Sequence, residues 1–279
     1  MLRYEDLDKI SDGRLYQIDD KVKAGTDGCA GCSKCCESDM GNTIVLTPYD
    51  IFSMTCGSGK TFDELLTNFY IELSMVDGLV LPNLKMDKGC QFLKDGRCSI
   101  HSFRPGICRL FPLGRIYNEK GFDYILQTGE CPVKDKSEVT VREWLGIDDI
   151  TRNDAFINKW HRFLIFERKK VSLIREMAEH EAKRILDISE SDLETYAGII
   201  KETDALEQIK EAGHEGDYIS AYRKDKAERI RQQAETDVKE VMKTVLRMMY
   251  MEGYDFESDF YAQFDERLKK CFGVIRKYN

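Results

Sequence analysis

The sequence lacks a long apolar run, and it contains little proline. No stretch of about 18 consecutive apolar residues occurs in the 279-residue chain, so no membrane-spanning helix is expected. The polar N-terminus, residues 1–9, lacks the apolar core of a signal peptide. Only 5 prolines and no low-complexity tract argue against a stalk or a long linker. We therefore expect a cytoplasmic protein with no membrane partner.

The chain also lacks the excess of positive charge that is typical of general nucleic-acid binding. It has 42 Lys plus Arg against 50 Asp plus Glu, a formal net charge of −8. A net-acidic surface repels a phosphate backbone, so a nucleic-acid partner is not expected. Neither a nucleophile elbow nor a glycine-rich dinucleotide fingerprint is present. A hydrophobic content of 42% is enough for a buried core in one large domain or two modest ones.

The ten cysteines divide the chain into two parts. Nine of them lie between Cys29 and Cys131, and the tenth is Cys271. We expect a cysteine-cluster metal-binding domain over residues 1–150 and a helical region over residues 151–279. The predicted fold class is α+β, with short hairpins and helices in the cysteine-rich half and helices in the C-terminal half.

Local patterns support this division. Residues 61–64 and 140–143 are capping-box patterns, which predict the starts of short helices. Residues 94–97 and 118–121 predict tight turns between short strands. In the C-terminal half, apolar residues recur at helical spacing over 156–164 and again over 238–249, which predicts amphipathic helices that pack through one face.

The densest cysteine motif is Cys29-Ala30-Gly31-Cys32-Ser33-Lys34-Cys35-Cys36. In a reducing compartment, clustered cysteines indicate metal ligands before they indicate disulfides. Two successive C-x-x-C steps allow three sulfurs to converge on one centre, as in ferredoxin-type loops. The side chains of the adjacent pair are expected to diverge. The pair therefore predicts either two metal centres, or one ligand plus one structural thiol.

Further ligands are available downstream at Cys90, Cys98, Cys108 and Cys131. Together with the first motif they make eight cysteines, enough for two four-cysteine sites. Cys56 and Cys271 have no ligand-like spacing and are interpreted as ordinary thiols. His101 lies three residues after Cys98, where it is either a nitrogen ligand or a half-exposed residue of a turn.

The order of these motifs resembles the YkgJ-type cysteine-cluster family, a zinc- or iron-chelating domain named after its CxxCxxCC motif. The residues that carry the resemblance are Cys29-x-x-Cys32-x-x-Cys35-Cys36, Cys90-x7-Cys98, and Arg104-Pro105-x-x-Cys108-Arg109-x-Phe111-Pro112. The resemblance covers about residues 25–135 and implies metal binding. The family includes flagellin lysine N-methylase, whose cysteine domain is associated with an iron–sulfur cluster. That kinship implies an alternative function, a cluster-dependent or S-adenosylmethionine-dependent protein-modifying enzyme.

Arg104 and Arg109 are predicted to bind the cofactor because they flank Cys108. Four thiolates around Zn²⁺ or a [4Fe–4S]²⁺ core leave a net charge of about −2, which is costly to bury without a partner. The two arginines are expected to offset this charge while they donate hydrogen bonds to sulfur or to backbone carbonyls. The alternative is that both are surface residues.

The spacing favours iron–sulfur over zinc. Zinc sites usually combine two separated C-x-x-C pairs, whereas this chain has one such cluster followed by single cysteines. Three sulfurs from one loop with a distant fourth are closer to iron–sulfur ligation. The sequence therefore predicts a metal-binding protein that holds an iron–sulfur cluster, of the 4Fe–4S type, through cysteine thiolates. A structural zinc site is the alternative cofactor, and the partner is left open between a protein substrate and a redox partner.

Overall fold

The computed structural model describes residues 7–26, 32–37, 44–86, 89–187 and 215–278. The chain forms two compact units, one of residues 1–165 with 245–271, the other of residues 166–244 with 272–279. The predicted α+β fold is confirmed, with short strands and helices in the N-terminal half and helices in the C-terminal half. None of the described helices is both long and apolar enough to cross a bilayer.

Small antiparallel sheets make up the strand content of the first unit. Its strands are β1 (Lys21–Gly25), β2 (Ile44–Val45), β3 (Ile71–Val76), β4 (Leu79–Leu84), β5 (Leu93–Lys94), β6 (Arg97–Cys98), β7 (Leu113–Asn118), β8 (Gly121–Leu126) and β9 (Ser137–Thr140). The described strands pair as β1–β9, β2–β4–β3, β5–β6 and β7–β8. Lys94 pairs with Arg97, and Asn118 pairs with Gly121, so both predicted hairpins are confirmed.

Most helices of the N-terminal half are short. The helices are α1 (Leu7–Ile10), α2 (Lys34–Glu37), α3 (Pro48–Ser58), α4 (Phe62–Thr67), α5 (Gly106–Leu110), α6 (Val141–Leu145), α7 (Ile150–Asp187), α8 (Glu215–Leu246) and α9 (Phe260–Ile275). A 3₁₀ turn spans His101–Phe103, and a π-helical turn spans Arg247–Met251. Both predicted capping boxes are confirmed at the starts of α4 and α6. A third, between Thr47 and Asp50, begins α3 and was not predicted.

Two apolar clusters among the described residues of the first unit position the elements around α3 and α5. One packs α5 and α6 against β1, β7 and β8; its buried members are Tyr16, Val22, Ala24, Leu110, Leu113, Tyr124, Val141, Leu145 and Ile150. The other is aromatic: Tyr49 and Phe52 of α3 lie 5.0 Å, between ring centroids, from Phe260 of α9. Tyr250 donates a hydrogen bond to the Leu46 carbonyl at 3.0 Å, which fixes the chain just before α3. These contacts hold α3 and α5 in place.

The second unit contains parts of the two longest helices. Arg175 of α7 pairs with Glu235 of α8 at 2.6 Å, and Glu179 pairs with Arg231 at 2.7 Å. All four side chains are substantially exposed, so these pairs contribute little to stability. Burial of apolar side chains such as Val238 contributes more to stability than these ion pairs do. The buried Val238 also confirms the predicted amphipathic stripe over residues 238–249. Residues 188–214, between the two predicted stripes, lie outside the described residues.

Glu167 of α7 is a buried carboxylate in the second unit. Only 2% of the residue is exposed, and its Oε2 atom has no hydrogen-bond partner among the described residues. Desolvation raises the pKa of Glu167 from 4.5 to about 8. The folded protein therefore holds a proton on Glu167 at pH values where the unfolded chain has already lost it.

We expect Glu167→Gln to remove a pH-dependent loss of stability. The contribution of the protonated carboxyl is fully present below pH 4.5 and is lost as the pH rises towards 8, at most about 4 kcal/mol. Urea unfolding at pH 5 and pH 8 measures this difference. The variant should gain stability mainly at pH 8, whereas Glu176→Gln, at an exposed position on the same helix, should follow the wild type. Equal gains at both pH values would contradict the assignment.

Candidate metal site

A cavity in the first unit gathers most of the predicted cysteine ligands. Its volume is about 480 Å³. The cysteines that line it are Cys32, Cys35, Cys36, Cys90, Cys98 and Cys108. They come from four separate segments: the α2 region, the residues before β5, strand β6 and helix α5. Six of the eight predicted ligands therefore face one space.

The adjacent pair Cys35 and Cys36 lies on the single turn of α2. Its two Sγ atoms are 3.9 Å apart, so the expectation that these neighbouring side chains diverge is wrong. Consecutive residues of a helix point about 100° apart, and the side-chain torsions close the remaining gap. Two thiolates bound to one tetrahedral zinc at about 2.3 Å would be about 3.8 Å apart. The pair is thus close enough to bind one metal atom.

The pKa values of the two thiols of this pair are shifted in opposite directions. The hydrogen bond between them lowers the pKa of Cys35, and the nearby Arg104 acts in the same direction. The same hydrogen bond raises the pKa of Cys36, and burial adds to the increase. Without a bound cation, the pair therefore favours one thiolate beside one thiol. A metal ion would favour the deprotonated form of both, because thiolates are the metal ligands.

Cys90 is tied to α2 through the backbone. Its N–H donates a hydrogen bond to the Cys36 carbonyl at 2.8 Å. Gly89 makes this approach possible, since its φ is +87° and a Cβ there would lie 3.1 Å from the Cys36 carbonyl oxygen. Cys98 follows in β6, where it pairs with Leu93 of β5. The hairpin thus brings the second and third cysteine segments to the same wall of the cavity.

Cys108 is held by α5. Its N–H donates to the Pro105 carbonyl at 2.9 Å, and the Gly106 N–H donates to Oδ1 of the buried Asp50 at 2.6 Å. Burial raises the pKa of Cys108, with a further contribution from the neighbouring Cys90. Burial also raises the pKa of Cys90 and Cys98. These thiols are therefore protonated at neutral pH unless a cation binds beside them.

Both predicted arginines line the cavity. Arg109 donates to the carbonyls of Gly146, at 3.3 Å, and of Ser102. The Nη1 atom of Arg104 lies 2.5 Å from Nε2 and 3.0 Å from Nδ1 of the His101 ring. Because a guanidinium only donates, the ring nitrogen that binds it must accept, and the lone pair of that nitrogen is not available to a metal. The Nε atom of Arg104 is buried with no hydrogen-bond partner in the described part of the chain, so it suits a sulfur acceptor in the cavity.

The wall of the cavity includes charged residues that the sequence analysis did not predict as part of the site. Arg97 and Glu143 line it together with the two predicted arginines, so the lining side chains carry a formal charge of +2. Trp144 closes another part of the wall and donates from its indole N–H to the Leu110 carbonyl at 3.4 Å. The capping box of α6 is the signal that could have located Glu143, since its position is fixed by Thr140.

Two predicted ligands are not among the six. Cys29 lies outside the described residues. Cys131 is half-buried, does not line the cavity, and its carbonyl accepts a hydrogen bond from Lys136 at 3.2 Å. Cys56 is exposed and Cys271 is buried; neither lines the cavity. Within the described ranges, no three Cys, His, Asp or Glu side chains form a ready-made site for a single ion.

The family comparison covers the same segment. Residues 28–137 match the model of the CxxCxxCC family, described as a "putative zinc- or iron-chelating domain". This match confirms the predicted resemblance over a segment that contains all eight predicted cysteines and both arginines. It supports metal binding as the general function of the segment. No curated protein and no solved structure matches the chain.

We expect Gly89→Ala to destabilise the cysteine cavity more than a matched glycine change. Alanine at positive φ costs about 1–3 kcal/mol in either case. At Gly89 the new Cβ also presses on the Cys36 carbonyl, whereas at Gly78, with φ +82° in the β3–β4 turn, it meets open space. Urea unfolding should therefore show an additional loss of about 1 kcal/mol for Gly89→Ala over Gly78→Ala. Equal losses would mean that the close backbone contact is unimportant.

Proposed function

We propose that the cavity holds an iron–sulfur cluster through thiolates drawn from the cysteines that line it. The observation that carries this proposal is that six cysteines, from four chain segments, line one cavity. Soft thiolates are the preferred ligands of iron–sulfur clusters and of zinc. The donor set therefore fits either cofactor, and the size of the cavity and its surplus of cysteines are the features that favour the cluster.

The size of the cavity is the first of these features. At about 480 Å³ it is far larger than the roughly 30 Å³ that one water molecule occupies in the liquid. A single zinc ion needs four ligands in a tight tetrahedron, and it would leave both surplus cysteines and unfilled space. A cluster of several iron and sulfide atoms uses more of the space and allows its ligands to stand farther apart.

The charge of the cavity fits either cofactor. Four thiolates around Zn²⁺ or a [4Fe–4S]²⁺ core leave about −2, and the lining side chains supply +2. Arg104 is placed to contribute directly, because its buried Nε lacks a hydrogen-bond partner in the described residues. Arg109 contributes charge while its guanidinium holds backbone carbonyls from two parts of the wall. In this proposal the positive charge of the arginines offsets the free-energy cost of burying the anionic centre, which is the role that the sequence predicted for them.

The cluster would supply one-electron transfer or a structural crosslink, and the chain supplies its environment. Phe92, Ile100, Phe111 and Trp144 line the cavity and give it an apolar wall beside the cysteines. A bound metal centre would also join four segments that are otherwise connected by short elements and a few hydrogen bonds. Metal binding and folding of this part of the first unit are therefore expected to be coupled.

Replacement of a cavity cysteine should release the cluster, and replacement of a remote one should not. We expect anaerobically prepared wild-type protein to contain iron with a matching amount of acid-labile sulfide. Cys108→Ser should lose iron to a chelator at least about 10-fold faster, since one lost metal–thiolate ligand is worth more than 1.4 kcal/mol. Cys56→Ser changes an exposed cysteine outside the cavity and should match the wild type.

The outcomes of this experiment separate the candidate cofactors. Zinc without sulfide, released faster from Cys108→Ser than from Cys56→Ser, would replace the cluster by a zinc site in the same cavity. Neither metal at a stoichiometric level, after anaerobic preparation and reconstitution, would contradict metal binding here. Equal release from both variants would place the metal outside the cavity.

A further inference from the structure

One face of helix α3 contacts the chain segment that leads into Cys108. Asp50, Ser53 and Gly57 lie at positions i, i+3 and i+7, which share a helix face. Asp50 Oδ1 accepts the Gly106 N–H at 2.6 Å, and Ser53 Oγ donates to the Phe103 carbonyl at 3.1 Å. We call these three residues the α3 brace.

Gly57 allows the closest approach within the brace. A Cβ at position 57 would lie 2.5 Å from both Cβ and Cγ of Phe103, a separation that real Cβ atoms do not show. Helix α3 and the Phe103 ring are therefore in direct contact. Phe103 is followed by Arg104, which lines the cavity, so this contact also fixes the backbone next to a cavity arginine.

Asp50 makes more contacts than helix capping requires. Its Oδ2 accepts from the N–H and the hydroxyl of Thr47, which completes the capping box of α3. Its Oδ1 accepts a hydrogen bond from the Gly106 N–H instead. The corresponding capping residues of α4 and α6, Glu64 and Glu143, are exposed, whereas Asp50 is only 4% exposed. The extra bond is short and its acceptor is buried, so losing it would leave a partly buried N–H without this partner.

The bond to Gly106 is only two residues from Cys108. Gly106 is the first residue of α5, and the N–H groups of Cys108 and Arg109 both donate to the Pro105 carbonyl. Fixing Gly106 therefore fixes the orientation of the single turn that carries both residues. We propose that the α3 brace, and Asp50 above all, is the positioning element that directs Cys108 into the cavity. The importance of the α3 brace for metal binding rests on the proposed function, whereas its positioning of Cys108 does not depend on that function.

The test measures Cys108 directly, in metal-free protein. Anaerobic alkylation with iodoacetamide, followed by peptide mass spectrometry, gives the rate of modification of each cysteine. We expect Asp50→Ala to raise the rate at Cys108 at least about 10-fold, because loss of this hydrogen bond to a buried acceptor makes local opening of α5 more frequent. The rate at Cys56, which is exposed throughout, serves as the internal reference.

Thr47→Ala is the matched control for helix capping. It removes both hydrogen bonds of the Thr47 hydroxyl, from the Asp50 N–H and to Asp50 Oδ2, but the Thr47 N–H still donates to Oδ2 and the bond between Asp50 and Gly106 stays in place. The rate at Cys108 in this variant should stay within about 2-fold of the wild type, although α3 loses a cap. An equal acceleration in Thr47→Ala and Asp50→Ala would overturn the proposal, since capping alone would then explain the effect.

Gly57→Ala provides a second test should Asp50→Ala fail to fold. Alanine favours a helix more than glycine does, so α3 itself should gain stability, while the new Cβ displaces Phe103. We expect Cys108 to be alkylated faster in Gly57→Ala than in the wild type. The control Gly273→Ala, where the new Cβ in α9 meets open space, should show the wild-type rate. A wild-type rate of alkylation at Cys108 in Gly57→Ala would overturn the proposed positioning role of the α3 brace.

The same variants, loaded with metal, separate this inference from the proposed function. Where wild-type protein binds metal, Asp50→Ala should release it to a chelator faster than Thr47→Ala does, and the visible spectrum should change as Cys108 is lost as a ligand. Where wild-type protein binds no metal, the proposed function fails, and the alkylation rates still decide whether α3 positions Cys108. A Cys108 that reacts as fast as Cys56 in the wild type would overturn the positioning role outright.

Discussion

Thiols that share one cavity are a poor hydrophobic core, because their ionised forms repel each other and their neutral forms leave the facing arginines without counterions. Burial raises the pKa of Cys90, Cys98 and Cys108, while the cavity wall carries a formal charge of +2. A cationic centre that binds the thiolates relieves the repulsion between them. The resulting anionic complex then faces the arginines and provides them with a counterion. The rest of the first unit is organised around this constraint.

Short elements with strong local signals build the walls. Capping boxes begin α3, α4 and α6, and tight turns join β5 to β6 and β7 to β8. Each of these elements is too small to be stable by itself. They are held by apolar packing on one side and by a few directed hydrogen bonds on the other, such as that from Cys90 to Cys36. A scaffold of this kind positions ligands accurately but gains much of its own stability when the ligands are joined.

The sequence predicted what depends on local rules. Capping boxes, hairpin turns and the helical spacing of apolar residues each involve residues close in the chain, and the structure confirms them. The convergence of Cys32 with Cys108 could be expected only from their chemistry and from the family resemblance. The close Cys35–Cys36 pair was predicted wrongly, because side-chain torsions are not encoded in spacing. The bond between Asp50 and Gly106 spans 56 positions and had no local signal beyond the capping pattern of α3.

X-ray absorption spectroscopy at the iron and zinc edges, on anaerobically prepared wild-type protein, reports the atoms bound to the metal. We predict that the metal is surrounded by sulfur alone, with an additional iron–iron scattering shell that identifies a cluster. A metal bound mainly by nitrogen and oxygen, or a sulfur shell that persists unchanged when Cys90, Cys98 and Cys108 are all replaced by serine, would contradict it.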